Sequence, residues 1–179
     1  MYFFCFVAGL FSSIIINICV ENNDTTKEYK TKSAKIATTP FQESLTKAKM
    51  TRSIDGDTIE VRITNNREVI KVRLIGVDTP EMKSNSHRPE YMAEEAKIYT
   101  ETFTYNKNLY LEFGDKKTDM FGRTLAYVYD ENGDCLNLNL IRYGYALAYT
   151  KFNFKHRSEY IKEECVAKDK GIGLWSKNK

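Results

Sequence analysis

Short alternating runs of apolar and polar residues begin near Lys47 and pattern most of the chain that follows. In DTIEVRI, residues 57–63, Ile59, Val61 and Ile63 alternate with Glu60 and Arg62, the period of a half-buried strand. TNNRE, 64–68, supplies Asn-Asn turn chemistry. VIKVRLIGV, 69–77, then alternates Ile70, Val72 and Leu74 with Lys71 and Arg73, so the two runs predict a hairpin. MKSNSHRP, 82–89, is a polar, turn-rich loop, and Pro89 suits the first turn of a helix. EYMAEEAKIYTETF, 90–103, places Met92, Ala96, Tyr99 and Phe103 on one helical face. NLYLEF, 108–113, and RTLAYVYD, 123–130, read as two further strands separated by the loop GDKKTDMFG. CLNLNLIRYG predicts a short helix closed by Gly144, whereas YALAYTKF, 145–152, suits strand and loop equally. HRSEYIKEECVAKDKG predicts a last helix with Ile161 and Cys165 on one face, stopped by Gly171, and Trp175 anchors the tail.

Strands, a helix, more strands and two helices follow one another with no βαβ alternation, which excludes a doubly wound parallel sheet. Short strands interrupted by a helix fit a small closed barrel of the OB type. No internal repeat is visible. The composition, 42% hydrophobic and 28% charged, is that of a globular domain, and a net charge of +3 does not by itself demand a nucleic-acid partner.

Two segments fall outside this pattern. Residues 1–20, MYFFCFVAGLFSSIIINICV, are apolar almost throughout and give way abruptly to Glu21-Asn22-Asn23-Asp24. They are expected to be a signal peptide or a membrane anchor, so that the protein is secreted or held at the outer face of a membrane. Residues 21–46, rich in Thr, Lys, Asn and Ser, read as a disordered polar tether, leaving 47–179 as the domain. Of the four cysteines, Cys5 and Cys19 lie in the leader; Cys135 and Cys165 are expected either to pair or to stay as separate thiols. His87 and His156 stand far apart with no cysteine near either, which argues against a zinc site.

Candidate chemistry gathers at two places. In SIDGDTIEV, 53–61, Asp55-Gly56 is ordinary turn chemistry, with Gly56 free to take positive φ, but a plain hairpin has no need of Asp57. In VRLIGVDTPE, 72–81, a strand carrying Arg73 ends in Asp78, Thr79, Pro80 and Glu81. Pro80 biases Thr79 towards an extended backbone, so the Thr79 carbonyl and the Asp78 carboxylate can face the same space. Carboxylates with a backbone carbonyl are the donors a hard cation such as Ca²⁺ prefers, and Asp57 can bring a second carboxylate. Singly, each stretch is a common turn, and Arg73 and Arg123 are each common outer-face strand residues. Together, two arginines beside a metal and a carboxylate make a phosphodiester site: forked donors hold phosphate oxygens, and Glu81 orients or deprotonates a water.

IDGDTIEV, VRLIGVDTPE, TDMFGRTLAYVY, LIRYGYALAY and GIGLW, in that order, resemble the staphylococcal nuclease (thermonuclease) family over roughly residues 47–176. The resemblance implies an α+β, mainly β fold: a five-stranded OB barrel with three helices. It implies Ca²⁺-dependent hydrolysis of DNA and RNA with low sequence specificity, leaving 3′-phosphorylated ends. It also implies Asp57, Asp78 and the Thr79 carbonyl as calcium ligands, Glu81 as general base, and Arg73 and Arg123 as phosphate clamps. Tyr149 falls near the family's base-flanking tyrosines, and reads equally as a barrel-edge aromatic. Met120 and Phe121 stand where the family often has a lysine and a tyrosine contacting a nucleotide phosphate. Weaker binding of a terminal phosphate, with the chemistry spared, is therefore expected.

Single-stranded DNA and RNA are the favoured partners, with the membrane a further one if the leader is kept. No protein partner is implied, and a monomer is expected. The competing class is a non-catalytic OB-fold nucleic-acid-binding module. Completeness of the set Asp57, Arg73, Asp78, Thr79, Glu81 and Arg123 discriminates against it, as it does against an adhesion domain.

Overall fold

The computed structural model describes residues 40–82 and 89–176. The leader, most of the tether, His87 and the last three residues lie outside them. Among the described residues no helix is long and apolar enough to cross a membrane.

Five strands close a barrel: β1 (Thr46–Ser53), β2 (Thr58–Ile63), β3 (Val69–Leu74), β5 (Leu109–Thr118) and β6 (Thr124–Tyr129), in the order β1-β2-β3-β6-β5. Every neighbouring pair is antiparallel except β3 with β6. This is the mainly β OB barrel that the sequence leads one to expect. The alternation works as read: Ile59, Val61, Val72, Leu74, Leu109, Leu111, Ala126 and Val128 are almost wholly buried inside it. Each large aliphatic side chain so buried contributes on the order of 1.5–3 kcal/mol. Outside the barrel, β4 (Val77–Asp78) pairs with β7 (Leu147–Ala148), which resolves the ambiguous YALAYTKF as two strand residues followed by loop. Three helices pack around the barrel: α2 (Ala93–Thr104), α3 (Leu136–Arg142) and α4 (Arg157–Lys170). A four-residue α1 (Pro40–Glu43) precedes β1.

Several boundaries differ from the sequence expectation. The tether does not run to residue 46, because Gln42 is buried and its amide donates to the carbonyl oxygens of Glu131 at 2.8 Å and Asp130 at 3.3 Å. Helix α2 starts at Ala93 rather than at Pro89. Met92, with φ 68, cannot be helical, and Glu90 is tied back to Glu81 by its own N–H and by its carboxylate. Its buried face is Ala93, Ala96, Thr100, Phe103 and Thr104, while Tyr99 is half-buried, stacked on Tyr145 at 4.9 Å. Strand β5 continues through GDKKT, which reads as loop: Gly114 has no Cβ to meet Ile75, and Thr118 still pairs with Thr124 after a register shift. On α4 the buried residues are Tyr160 and Ala167, two turns apart, so Cys165 is exposed rather than inward. Cys135 and Cys165 are accordingly both free thiols, Cys135 lying beside the Tyr160 hydroxyl. Gly171 ends α4 in the left-handed region, and the tail then docks through the Leu174 N–H to the Gly144 carbonyl at 2.8 Å.

Candidate active site

The loop between β1 and β2 is closed by its own groups. The N–H of Ile54 donates to the Thr58 carbonyl at 2.9 Å, the Asp57 N–H donates to Asp55 Oδ1 at 3.2 Å, and Ser53 Oγ donates to the Asp55 carbonyl at 2.7 Å. Asp55 is thus a structural turn residue. Gly56 is not among the residues with positive φ. It is glycine because the chain is crowded there: a Cβ would meet Thr79 Cγ2 at 2.7 Å and the Ala96 Cβ at 2.9 Å. Thr100 Oγ1 adds a hydrogen bond to the Gly56 carbonyl at 2.6 Å. The loop therefore sits where the end of β4 meets α2, and this contact delivers Asp57 to Thr79.

Asp57 is 5% exposed. Its Oδ2 accepts the Thr79 N–H at 2.9 Å and lies 2.7 Å from Arg73 Nη1; its Oδ1 accepts the Thr58 hydroxyl at 3.1 Å. Register explains the meeting, since Thr58 is cross-strand from Arg73 and the Leu74 N–H donates to the Asp57 carbonyl at 2.9 Å. Arg73 turns out of the barrel, as its place in the alternation implies. Nη1 also donates to the Val77 carbonyl at 2.8 Å, and Nη2 to Asp78 Oδ1 at 3.3 Å. One guanidinium thus spans both carboxylates. Burial raises the Asp57 pKa to about 7, against the pull of Arg73.

Arg123 approaches from the other side. Its Nη1 donates to Thr58 Oγ1 at 3.4 Å, which joins it through that hydroxyl to Asp57. Asp119 holds it: Oδ2 accepts Arg123 Nε at 2.6 Å and Oδ1 accepts the Arg123 N–H at 2.9 Å. Burial alone would raise the Asp119 pKa, but these bonds overcome it and hold the carboxyl below its ordinary range. Glu81 is solvent-open, at the chain's exit from β4. Its partial enclosure, with the Asp55 carboxylate near, raises its pKa, and the Arg73 charge opposes this. Tyr149 donates its N–H to the Gly76 carbonyl at 2.9 Å, one residue beyond the β7 strand that pairs with Asp78.

The expected residues therefore converge, with Tyr149 at the margin. The sequence reading did not single out Thr58 or Asp119. A signal for Asp119 exists, because an acid four residues before an arginine across a Gly turn can fold back on it; Thr58 becomes visible only through strand register. Among the described residues no three His, Cys, Asp or Glu side chains gather into a metal cluster. Asp57 and Asp78 are close enough to share one guanidinium, so two carboxylates, the donor type that a hard cation takes, stand side by side.

A family model described as staphylococcal nuclease homologue matches residues 71–177. The chain is 35% identical over 147 residues to a thermonuclease of Staphylococcus intermedius, covering 77% of this chain and 84% of that protein. It is 34% identical over 149 residues to the uncharacterized protein MJ1439 of Methanocaldococcus jannaschii, covering 72% and 70%. With the SPbeta prophage-derived endonuclease YokF of Bacillus subtilis it shares 37% over 131 residues, 71% of this chain but 43% of YokF.

Proposed function

The chain belongs to the staphylococcal nuclease family, and from that premise we propose that it is a Ca²⁺-dependent nuclease hydrolysing DNA and RNA with low sequence specificity. The observation that carries this reading is the pair of guanidinium groups flanking one buried carboxylate. Arg73 reaches Asp57 directly, and Arg123 reaches it through Thr58. Such an arrangement suits a phosphodiester. The free edges of two forked donors can hold its non-bridging oxygens and neutralise the charge that builds on them as phosphorus is attacked.

Asp57, Asp78 and the Thr79 carbonyl would hold the metal, which when bound supplies Lewis-acid polarisation and a more acidic water. Glu81 stands at the solvent-open rim, where partial burial and the Asp55 carboxylate raise its pKa and make it a better proton acceptor than an ordinary carboxylate. The attacking water gives a proton to Glu81 as its oxygen bonds phosphorus. The bond from phosphorus to the 5′-oxygen breaks, leaving a 3′-phosphate and a 5′-hydroxyl once the departing oxygen is protonated. The apolar first 20 residues support export, with the enzyme secreted or held at the outer face of a membrane.

The test is digestion of single-stranded DNA and of RNA by the full chain in Ca²⁺, with the product ends identified by mass. Fragments ending in 3′-phosphate are expected, and Glu81→Gln should lower kcat by roughly 10²- to 10⁴-fold without lowering the melting temperature. Oligonucleotide binding without cleavage by the wild type would assign a binding module instead.

A further inference from the structure

We propose that Phe121 is a stacking platform for an unpaired base of the strand whose phosphate Arg123 holds; this rests on the nuclease reading above. The loop between β5 and β6 is rigid in its backbone. Asp119 Oδ1 accepts the N–H of both Phe121 and Arg123 at 2.9 Å, the Asp119 N–H donates to the Arg123 carbonyl at 2.9 Å, and Gly122 turns the chain at φ +77. From this fixed loop two apolar side chains project into water, Met120 86% exposed and Phe121 74% exposed. So exposed, the phenyl ring buries little apolar surface for the fold.

One face of that ring is used. The Arg123 guanidinium lies over it at 5.4 Å from the centroid, and the same guanidinium leads through Thr58 to Asp57. Lys116 and Lys117, exposed on β5 just before the loop, enter no ion pair among the described residues. A cationic edge with an open aromatic ring beside a phosphate-holding arginine is the combination by which single strands are gripped without sequence readout. Neither a phenyl ring nor a thioether can donate to a phosphate, so the ligand of this loop is the flat face of a base. In a duplex that face is covered by the neighbouring pairs, so the base must be unpaired. The platform thus biases the enzyme towards single strands.

The experiment compares steady-state cleavage of a single-stranded DNA oligonucleotide with that of the same length of deoxyribose-phosphate chain lacking bases, using the full chain in Ca²⁺. On the base-bearing strand, Phe121→Ala and Phe121→Leu should raise KM roughly ten-fold with kcat within about two-fold, and Phe121→Trp should restore KM. On the baseless chain the wild type and Phe121→Ala should have equal KM. An unchanged KM on the base-bearing strand, or the same rise on both substrates, would overturn the proposal. A second readout needs no turnover: fluorescence of Phe121→Trp, less that of wild type, should be quenched by oligothymidylate and not by the baseless chain. If the wild type cleaves nothing in Ca²⁺, the nuclease reading fails by itself, and this quenching still decides the platform. Its absence contradicts stacking.

Discussion

Asp57, 5% exposed to solvent, engages three groups with its two oxygens: the Thr58 hydroxyl, the Thr79 N–H and the Arg73 guanidinium. Its carboxyl titrates at about 7 rather than 3.8, with burial the largest cause. Between those two values the folded chain binds more protons at this site than the unfolded chain does. The metal-free protein therefore loses stability from Asp57 as pH rises through that window. Asp57→Asn removes the loss: with chelator present, its unfolding free energy relative to wild type should grow from about pH 4 to about pH 7 and then level off. Denaturant melts at each pH check this, and a difference that is flat with pH refutes it. Adding Ca²⁺ should reverse the ranking, stabilising wild type and not the variant. Asp119 is the positioning partner of Arg123. Asp119→Asn should lower kcat/KM roughly 10- to 100-fold, and combining it with Arg123→Ala should cost little more than Arg123→Ala alone. Additive losses would mean that the two act independently.

Where elements meet, the contact at Gly56 joins the β1–β2 loop, the end of β4 and α2. Gly56→Ala forces a methyl into space held by Thr79 and Ala96, and should destabilise the protein by about 1–3 kcal/mol while weakening Ca²⁺ binding, since Asp57 and Thr79 are pushed apart. Calorimetric titration with Ca²⁺ alongside thermal melts measures both; a shift in stability with unchanged calcium affinity would separate this contact from the site. Sequence pattern reveals the elements here but not this contact. Alternation at Ile59, Val61, Val72 and Leu74 shows the strands and their inner face, because period two depends on the residues themselves. The crowding at Gly56 depends on which helix crosses the loop, so a glycine beside an aspartate reads as a turn former when its task is close approach. The start of α2 was hidden for the same reason: the Glu81–Glu90 bonds that set it span nine residues. Strand β5 outlasts its apolar run because pairing with β6, rather than burial, keeps GDKKT extended.

Across the whole molecule, the folded domain begins earlier than composition suggests. Gln42 lies in a polar stretch that looks like linker, and its bonds to the Asp130 and Glu131 carbonyls tie that stretch to the turn after β6. A chain starting at residue 47 should therefore be less stable than one starting at residue 38 by roughly the 0.5–1.5 kcal/mol of a buried hydrogen bond or somewhat more, and so melt at a lower temperature. Equal melting temperatures would show that the segment adds nothing. The candidate site was legible in a different way. Asp57, Arg73, Asp78, Thr79, Glu81 and Arg123 stand in stretches whose order along the chain matches the family, whereas Thr58 and Asp119 act only through fold geometry. The closed barrel turns that linear order into one constellation, with Arg73 and Arg123 converging on Asp57 from β3 and from the start of β6. The most direct measurement is the initial rate of single-stranded DNA cleavage by the full chain in Ca²⁺, repeated after EGTA is added. A calcium-dependent phosphodiesterase should turn over in Ca²⁺, stop with EGTA and recover when Ca²⁺ is restored; a rate unchanged by EGTA, or no cleavage in Ca²⁺, would rule that activity out.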